Sequence, residues 1–97
     1  SLIDAALTRN TAARLGIREI SQKRGALFFY IMSPTAAQIS ALMREYYDRI
    51  AFNDREVPYF IAVRLKKGET AVALMKEILG ILEQHANPAV DDGQSAS

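Results

Sequence analysis

The segment VPYFIAVRLKKGET, at positions 57–70, is the one whose residue types most resemble a chemical site. Two lysines, a glycine and a hydroxyl lie close together, as they do where a protein binds phosphate. A phosphate-binding loop has the order G-x-x-x-x-G-K-[ST], because free backbone amides must wrap the phosphates. Here Lys66 and Lys67 precede Gly68, and no glycine-rich run comes before them. The order instead predicts a strand end and a turn, with Thr70 capping a following helix, and we expect no ATP binding or hydrolysis.

His85 is the single histidine, and the chain contains no cysteine. Disulfides and thiolate metal ligands are therefore excluded. A nucleophile–histidine pair would depend on His85, which precedes a predicted disordered tail and so is poorly placed for groups that need tight positioning. The sequence predicts no catalytic residue, no metal ligand and no cofactor site, and hence no enzyme activity of its own.

Two aromatic pairs, Phe28–Phe29 and Tyr46–Tyr47, are candidates for stacking on nucleic-acid bases. Each pair lies in a strongly apolar pattern, which favours core packing for both of its members. Overall charge is nearly balanced, with 12 basic and 11 acidic side chains and a net charge of +1. Nucleic-acid binding usually depends on a dense basic cluster, so this balance mildly favours a protein partner.

Exposed charges on the first helix and on a later hairpin are the candidate interaction surface. Reversible, electrostatically guided docking uses groups of this kind. The candidates are Arg9, Arg14, Arg18, Asp54, Arg55 and Glu56.

The hydrophobic pattern predicts one α+β domain over residues 1–86, with the order α-ββα-ββα and an antiparallel sheet that packs against its helices. Ser33 is predicted to cap the second helix, and Pro34 to occupy its first turn. A turn is predicted at Lys23-Arg24-Gly25, and a disordered tail at residues 87–97. The predicted helices are 2–15, the segment after Pro34 and 70–85; the predicted strands are 17–22, 26–32, 50–53 and 59–65.

The apolar positions predict a single core formed by side chains of both hairpins and of the last two helices. The run ALFFYIM at 26–32 is apolar on both faces, which predicts a central strand covered on both sides. No apolar run approaches the roughly 20 residues that a membrane helix needs, so we expect a cytoplasmic protein. The predicted core residues are Phe29, Ile39, Leu42, Met43, Ile61, Val63, Leu74, Met75 and Ile78.

The segment AARLGIREI at positions 12–20 is the first part of a pattern that resembles a known family, with a helix ending in A-x-x-L-G-I-x-x-I. A glycine hairpin, an apolar strand and a helix starting at Ser33-Pro34 follow in order. The strand at 59–65 then leads through KKGE at 66–69 into a terminal amphipathic helix. With these segments, over about residues 2–86, the chain resembles the C-terminal domain of the bacterial transcription-repair coupling factor family (Mfd). Since the chain begins within or just before its first helix, we expect a fragment of a longer protein.

What the resemblance implies is a non-catalytic regulatory domain of an ATP-dependent DNA translocase. Proteins of this family recognise stalled RNA polymerase, push it off DNA and recruit the excision-repair protein UvrA. Their C-terminal domain is similar to a lid that docks on the N-terminal UvrA-binding module of the same chain and keeps it repressed. The implied direct partner is that module, and UvrA, RNA polymerase and DNA are contacted only indirectly, through the parent chain. No membrane partner is expected. The fragment is expected to be monomeric.

Two other readings stay open from the residues themselves. The first is a small nucleic-acid-binding α+β module with an exposed sheet face, which a steep fall of DNA affinity with salt would reveal. The second, more distant, is a small enzyme whose activity titrates with His85.

Overall fold

Seven elements follow one another in the predicted order in the computed structural model, which describes residues 6–53, 55 and 59–86. The first helix is seen from Ala6 onward, while residues 1–5 and the predicted tail at 87–97 lie outside the described residues. The elements are α1 (Ala6–Leu15), β1 (Ile17–Lys23), β2 (Ala26–Ile31), α2 (Ala36–Glu45), β3 (Ile50–Asn53), β4 (Tyr59–Arg64) and α3 (Ala71–Gln84).

The first hairpin is closed by the predicted turn, which consists of Arg24 and Gly25 alone. Lys23 pairs directly with Ala26, so only these two residues connect the strands. Both have positive φ, 52° and 77°, as the common two-residue hairpin turns require. The tight turn lets β1 reach Lys23, one residue further than predicted.

The four strands form one antiparallel sheet in the order β1-β2-β4-β3. The two hairpins join through their inner strands, where Phe29 pairs with Ile61 and Tyr30 with Phe60. β2 is therefore a central strand, as predicted, and β1 and β3 form the two edges.

The core lies between one face of the sheet and the three helices. Leu27, Phe29 and Ile31 of β2 point to this face and are fully buried. In the part of the chain that the structure describes, the prediction that β2 is covered on both sides is wrong, because the buried side chains of all three helices belong to this same core. The helical contributors are Ala12, Leu15, Leu42, Leu74, Met75, Ile78, Leu79 and Leu82.

Helix α2 faces the core with a different stripe from the one predicted. Its buried positions are Gln38, Ala41 and Leu42, whereas Met43 is 45% exposed and was wrongly assigned to the core. The polar Gln38 is buried because its amide donates to the backbone carbonyl of Leu82 at 2.9 Å, which satisfies it inside the core. The stripe is therefore rotated by about one residue relative to the apolar pattern.

Thr35, and not Ser33, caps helix α2. The Thr35 hydroxyl accepts a hydrogen bond from the Gln38 backbone N–H at 3.0 Å, and the Gln38 side chain accepts one from the Thr35 backbone N–H at 2.8 Å. This is a capping box. The Thr35 hydroxyl also donates to the carbonyl of His85 at the end of α3, which ties the two helices together.

Candidate interaction surfaces

The segment from Lys66 to Thr70 is a connector between β4 and α3. Gly68 has a φ of 83°, which suits a turn glycine. The Thr70 hydroxyl accepts a hydrogen bond from the Ala73 backbone N–H at 3.1 Å, so the predicted cap is confirmed. The lysines that suggested phosphate chemistry are both exposed and end the strand region.

A shielded ion pair holds this connector in place. The guanidinium of Arg49 lies 2.6 Å from the carboxylate of Glu69, and the two side chains are only 15% and 12% exposed. The backbone N–H of Lys66 donates to the same carboxylate at 3.1 Å. The hydrogen bond from Arg49 lowers the pKa of Glu69, so the carboxylate stays ionised at neutral pH.

The predicted charged surface is only partly visible in the described residues. Arg9, Arg14 and Arg18 are exposed along α1 and the start of β1, and Arg55 is exposed beyond β3. The other two predicted residues, Asp54 and Glu56, lie outside the described residues.

Arg14 on α1 pairs with Glu83 on α3 at 2.7 Å. The two side chains are 61% and 43% exposed, so water and salt screen the pair strongly. Exposed ion pairs of this kind contribute about 0–1 kcal/mol to the stability of the fold. Exchanging one partner for a charged group on another protein surface therefore costs little stability. We call the exposed Arg14 and Glu83, together with Arg18 at the start of β1, the helical charge patch.

The other side of the sheet carries three aromatic rings. Phe28 and Tyr30 alternate with the core residues of β2, and Phe60 on β4 lies opposite Tyr30 in the sheet register. All three are partly exposed. This side, with no helix packed on it in the described part of the chain, is the open sheet face, and the three rings are its aromatic cluster.

The rings contact one another and one lysine. Their centroids are 5.6 Å apart for Phe28 and Phe60, 6.2 Å for Tyr30 and Phe60, and 6.4 Å for Phe28 and Tyr30. The Lys23 ammonium lies 5.6 Å from the centroid of Phe28 and 5.8 Å from that of Tyr30, within cation–π range. It also donates to the Tyr30 hydroxyl at 3.4 Å.

A shallow hollow of about 350 Å³ adjoins the cluster. Its floor is made of small side chains, Ala26, Ala51 and Ala62, which leave room above the sheet. Its border includes three cationic side chains, Lys23, Arg24 and Arg64, which we call the basic rim, together with the carboxylate of Asp48.

Core packing was the correct prediction for one member of each aromatic pair and the wrong one for the other. Phe29 is fully buried and Tyr46 is 1% exposed, whereas Tyr47 is 79% exposed. Phe28 belongs to the open sheet face, because successive side chains of a strand point to opposite sides. Phe60 was missed as a surface candidate, although the alternation of 59–65 places its side chain on the other face of the sheet from that of Ile61.

His85 is the C-cap of α3, and its backbone carbonyl, not its ring, makes the contact with Thr35. Within residues 6–53, 55 and 59–86, no group of three His, Cys, Asp or Glu side chains is arranged to hold a metal ion. No helix in these ranges is long and apolar enough to span a bilayer.

Comparisons of the chain with protein-family models, with curated proteins and with solved structures gave no match.

Proposed function

We propose that the chain is a non-catalytic regulatory domain of a bacterial transcription-repair coupling factor. It docks as a lid on the N-terminal UvrA-binding module of its parent chain and holds that module repressed until the parent engages stalled RNA polymerase on DNA. The parent supplies the ATP-dependent translocase and works in the cytoplasm. The order of AARLGIREI, the glycine hairpin, the Ser33-Pro34 segment and KKGE supports this family assignment.

The helical charge patch is the observation that carries the docking role. A lid must bind firmly enough to close its partner and must still separate when the parent is activated. The exposed Arg14–Glu83 pair suits this requirement, because Arg14 exchanges Glu83 for a carboxylate on the module at little cost in stability. Arg18 is exposed in β1, three residues after the end of α1, and adds a second cation close to Arg14 in sequence.

Charge-guided docking predicts a strong dependence on salt and on the sign of the patch. We expect the 97-residue chain to bind the separately expressed UvrA-binding module. Reversing both charges in Arg14→Glu/Arg18→Glu should weaken binding about tenfold at low salt, and less as salt screens the contact. Isothermal titration at several salt concentrations measures this.

Arg44→Glu is the matched control, because Arg44 is an exposed arginine near the end of α2 and outside the helical charge patch. It should leave binding unchanged. Absence of binding by the unaltered chain, or equal binding by the reversed and unaltered chains, would contradict docking through this patch.

A further inference from the structure

The open sheet face has a composition that the docking role does not use. Core-facing and outward positions alternate strictly along β2, yet Phe28 and Tyr30 on the outward side are aromatic, where a solvent-facing strand is usually polar. Phe60 adds a third ring from the neighbouring strand. The three rings lie at the centre of the sheet, on β2 and β4, and not at its edges.

This placement suits planar ligands. One common RNA-binding module is a four-stranded sheet whose aromatic side chains stack two or three unpaired bases. The arrangement here has two rings two residues apart on one central strand, and one ring directly across on the next. Successive bases of a strand can stack on such rings only when they are unpaired, because bases in a duplex already stack on each other.

The charges around the hollow fit a phosphate backbone. Lys23 is the last residue of β1, Arg24 lies in the β1–β2 turn and Arg64 is at the end of β4, so all three lie at one end of the open sheet face. Arg49 also borders the hollow, but its charge is paired with Glu69. Asp48 is the one carboxylate among the described residues that line the hollow, which leaves the border cationic.

The opposite end of the open sheet face carries a carboxylate. Glu19 lies opposite Tyr30 in the sheet register and is exposed. The phosphates of a bound strand are therefore favoured toward the β1–β2 turn and disfavoured toward Glu19. Arg64 is partly oriented for its role, because its guanidinium donates to the backbone carbonyl of Asp48 at 2.8 Å.

We propose that the open sheet face binds single-stranded nucleic acid, with bases stacked on Phe28, Tyr30 and Phe60 and phosphates held by the basic rim. Lys23 contributes in both ways, because it lies over two of the rings and carries a charge that phosphate attracts. The site is on the opposite side of the sheet from the helical layer that carries Arg14 and Glu83. Binding of single-stranded nucleic acid and docking of the lid are therefore separate properties of the domain.

The test uses the 97-residue chain and fluorescein-labelled oligonucleotides of ten thymidines, ten uridines and a ten-base-pair duplex. Fluorescence anisotropy should show saturable binding of single strands and clearly weaker binding of the duplex. With about two or three phosphates held, log K should fall with log salt at a slope near −1.4 to −2.1. Tighter binding of the uridine strand would point to RNA through its 2′-hydroxyls, and tighter binding of the thymidine strand to DNA.

Two leucine variants, Phe28→Leu and Phe60→Leu, remove a ring and retain apolar volume, so that the fold survives. Each should weaken single-strand binding about 5- to 150-fold, the usual effect of losing one stacking platform. Phe52→Leu is the matched control, because Phe52 is 41% exposed but points to the helical side of the sheet, opposite Ile61. It should leave binding unchanged.

Charge variants test the phosphate contacts independently of the rings. Lys23→Gln should reduce the magnitude of the salt slope by about 0.7, the effect of one lost phosphate contact, whereas Lys76→Gln, an exposed lysine of α3, should not change it. The proposal is overturned by the absence of saturable single-strand binding, by equal affinity for the duplex, or by binding that both leucine variants retain. A chain indifferent to single strands, whose Phe28→Leu variant loses affinity for the UvrA-binding module, would overturn it in favour of a protein-docking face.

Discussion

The side chain of Arg49 contacts three separate parts of the chain. Its guanidinium pairs with Glu69 before α3, donates to the carbonyl of Arg64 at the end of β4 at 2.8 Å, and lies 5.0 Å from the ring centroid of Tyr46 at the end of α2. The Tyr46 hydroxyl in turn donates to Glu77 of α3. Burial and that hydrogen bond raise the pKa of Tyr46 well above its usual range, so Tyr46 remains a neutral donor.

Replacing Glu69 with glutamine should destabilise the domain by about 1.5–3 kcal/mol at neutral pH, the usual contribution of a hydrogen bond to a charged group. The pair is shielded from water, so Arg49 would lose a partner that solvent replaces poorly. Glu83→Gln is the matched control, since it breaks an exposed pair and should cost less than about 1 kcal/mol. Urea denaturation of the three chains measures both values.

The same substitution should change the pH dependence of stability. The pKa of Glu69 is lower in the folded state than in the unfolded chain, where it is about 4.3. Its contribution is therefore complete above that unfolded value and is lost as the pH falls through the folded one. The difference in stability between the unaltered chain and Glu69→Gln should shrink below about pH 4. A difference that stays constant down to acid pH would show that the ionised form of Glu69 is not what stabilises the fold.

Single residues were predicted well where their role is local and poorly where it depends on what lies across the fold. Thr70 was predicted as a cap because capping depends only on neighbours in sequence. Phe28 was placed in the core because its neighbours are apolar, and only the sheet register shows that it faces outward. The pairing of Arg49 with Glu69 joins residues 20 positions apart, and no local pattern indicates it.

At the scale of elements, α2 shows how tertiary contacts select among local signals. Both Ser33 and Thr35 are residues that cap helices, and Pro34 between them suits a first turn. Thr35 is used because its hydroxyl satisfies the Gln38 N–H and also reaches the His85 carbonyl of α3. Gln38 is then held at a buried position, and the helix turns Leu42 inward and Met43 outward.

Thr35→Ala should therefore cost about 0.5–2 kcal/mol of stability, the usual effect of losing a helix cap. Ser33→Ala, two positions away and exposed, should fall within about 0.5 kcal/mol of the unaltered chain. Thermal and urea unfolding of both variants test this. The reverse order of effects would restore Ser33 as the cap and contradict the start of α2.

Two neighbouring positions on α2 test the orientation of its buried face. Leu42→Ala should cost about 2–5 kcal/mol, because Leu42 is fully buried and its removal leaves a cavity. Met43→Ala should cost much less, since Met43 is 45% exposed. Equal unfolding midpoints for the two variants would mean that the helix is oriented differently about its axis.

The order and types of the elements were predictable because each has a complete local pattern. Period-two alternation at 59–65, the apolar stripe of α3 and the glycine turns all depend on neighbouring residues. The strand order β1-β2-β4-β3 was not predictable, because either strand of one hairpin can in principle pair with either strand of the other. The helical layer on one side of the sheet, and hence the open sheet face, follows only once that order is known.

At the scale of the whole molecule, the domain presents two different surfaces on opposite sides of one sheet. The helical layer carries screened, exchangeable charges, and the open sheet face carries aromatic rings beside a basic rim. The first surface suits reversible docking within the proposed parent, and the second suits an unpaired nucleic-acid strand. The charge pattern of the sequence indicated the first surface, whereas the residues of the second are recognised only once it is known which side of the sheet the helices cover.

The proposed lid role concerns the equilibrium between closed and open forms of the parent. A domain that stabilises the closed form contributes a coupling free energy, typically about 1–3 kcal/mol. The direct measurement is a titration of UvrA against the intact parent and against the parent lacking residues 1–97, at matched ionic strength. The truncated parent should bind UvrA about 5- to 150-fold more tightly. Equal affinities, or weaker binding after truncation, would contradict the lid.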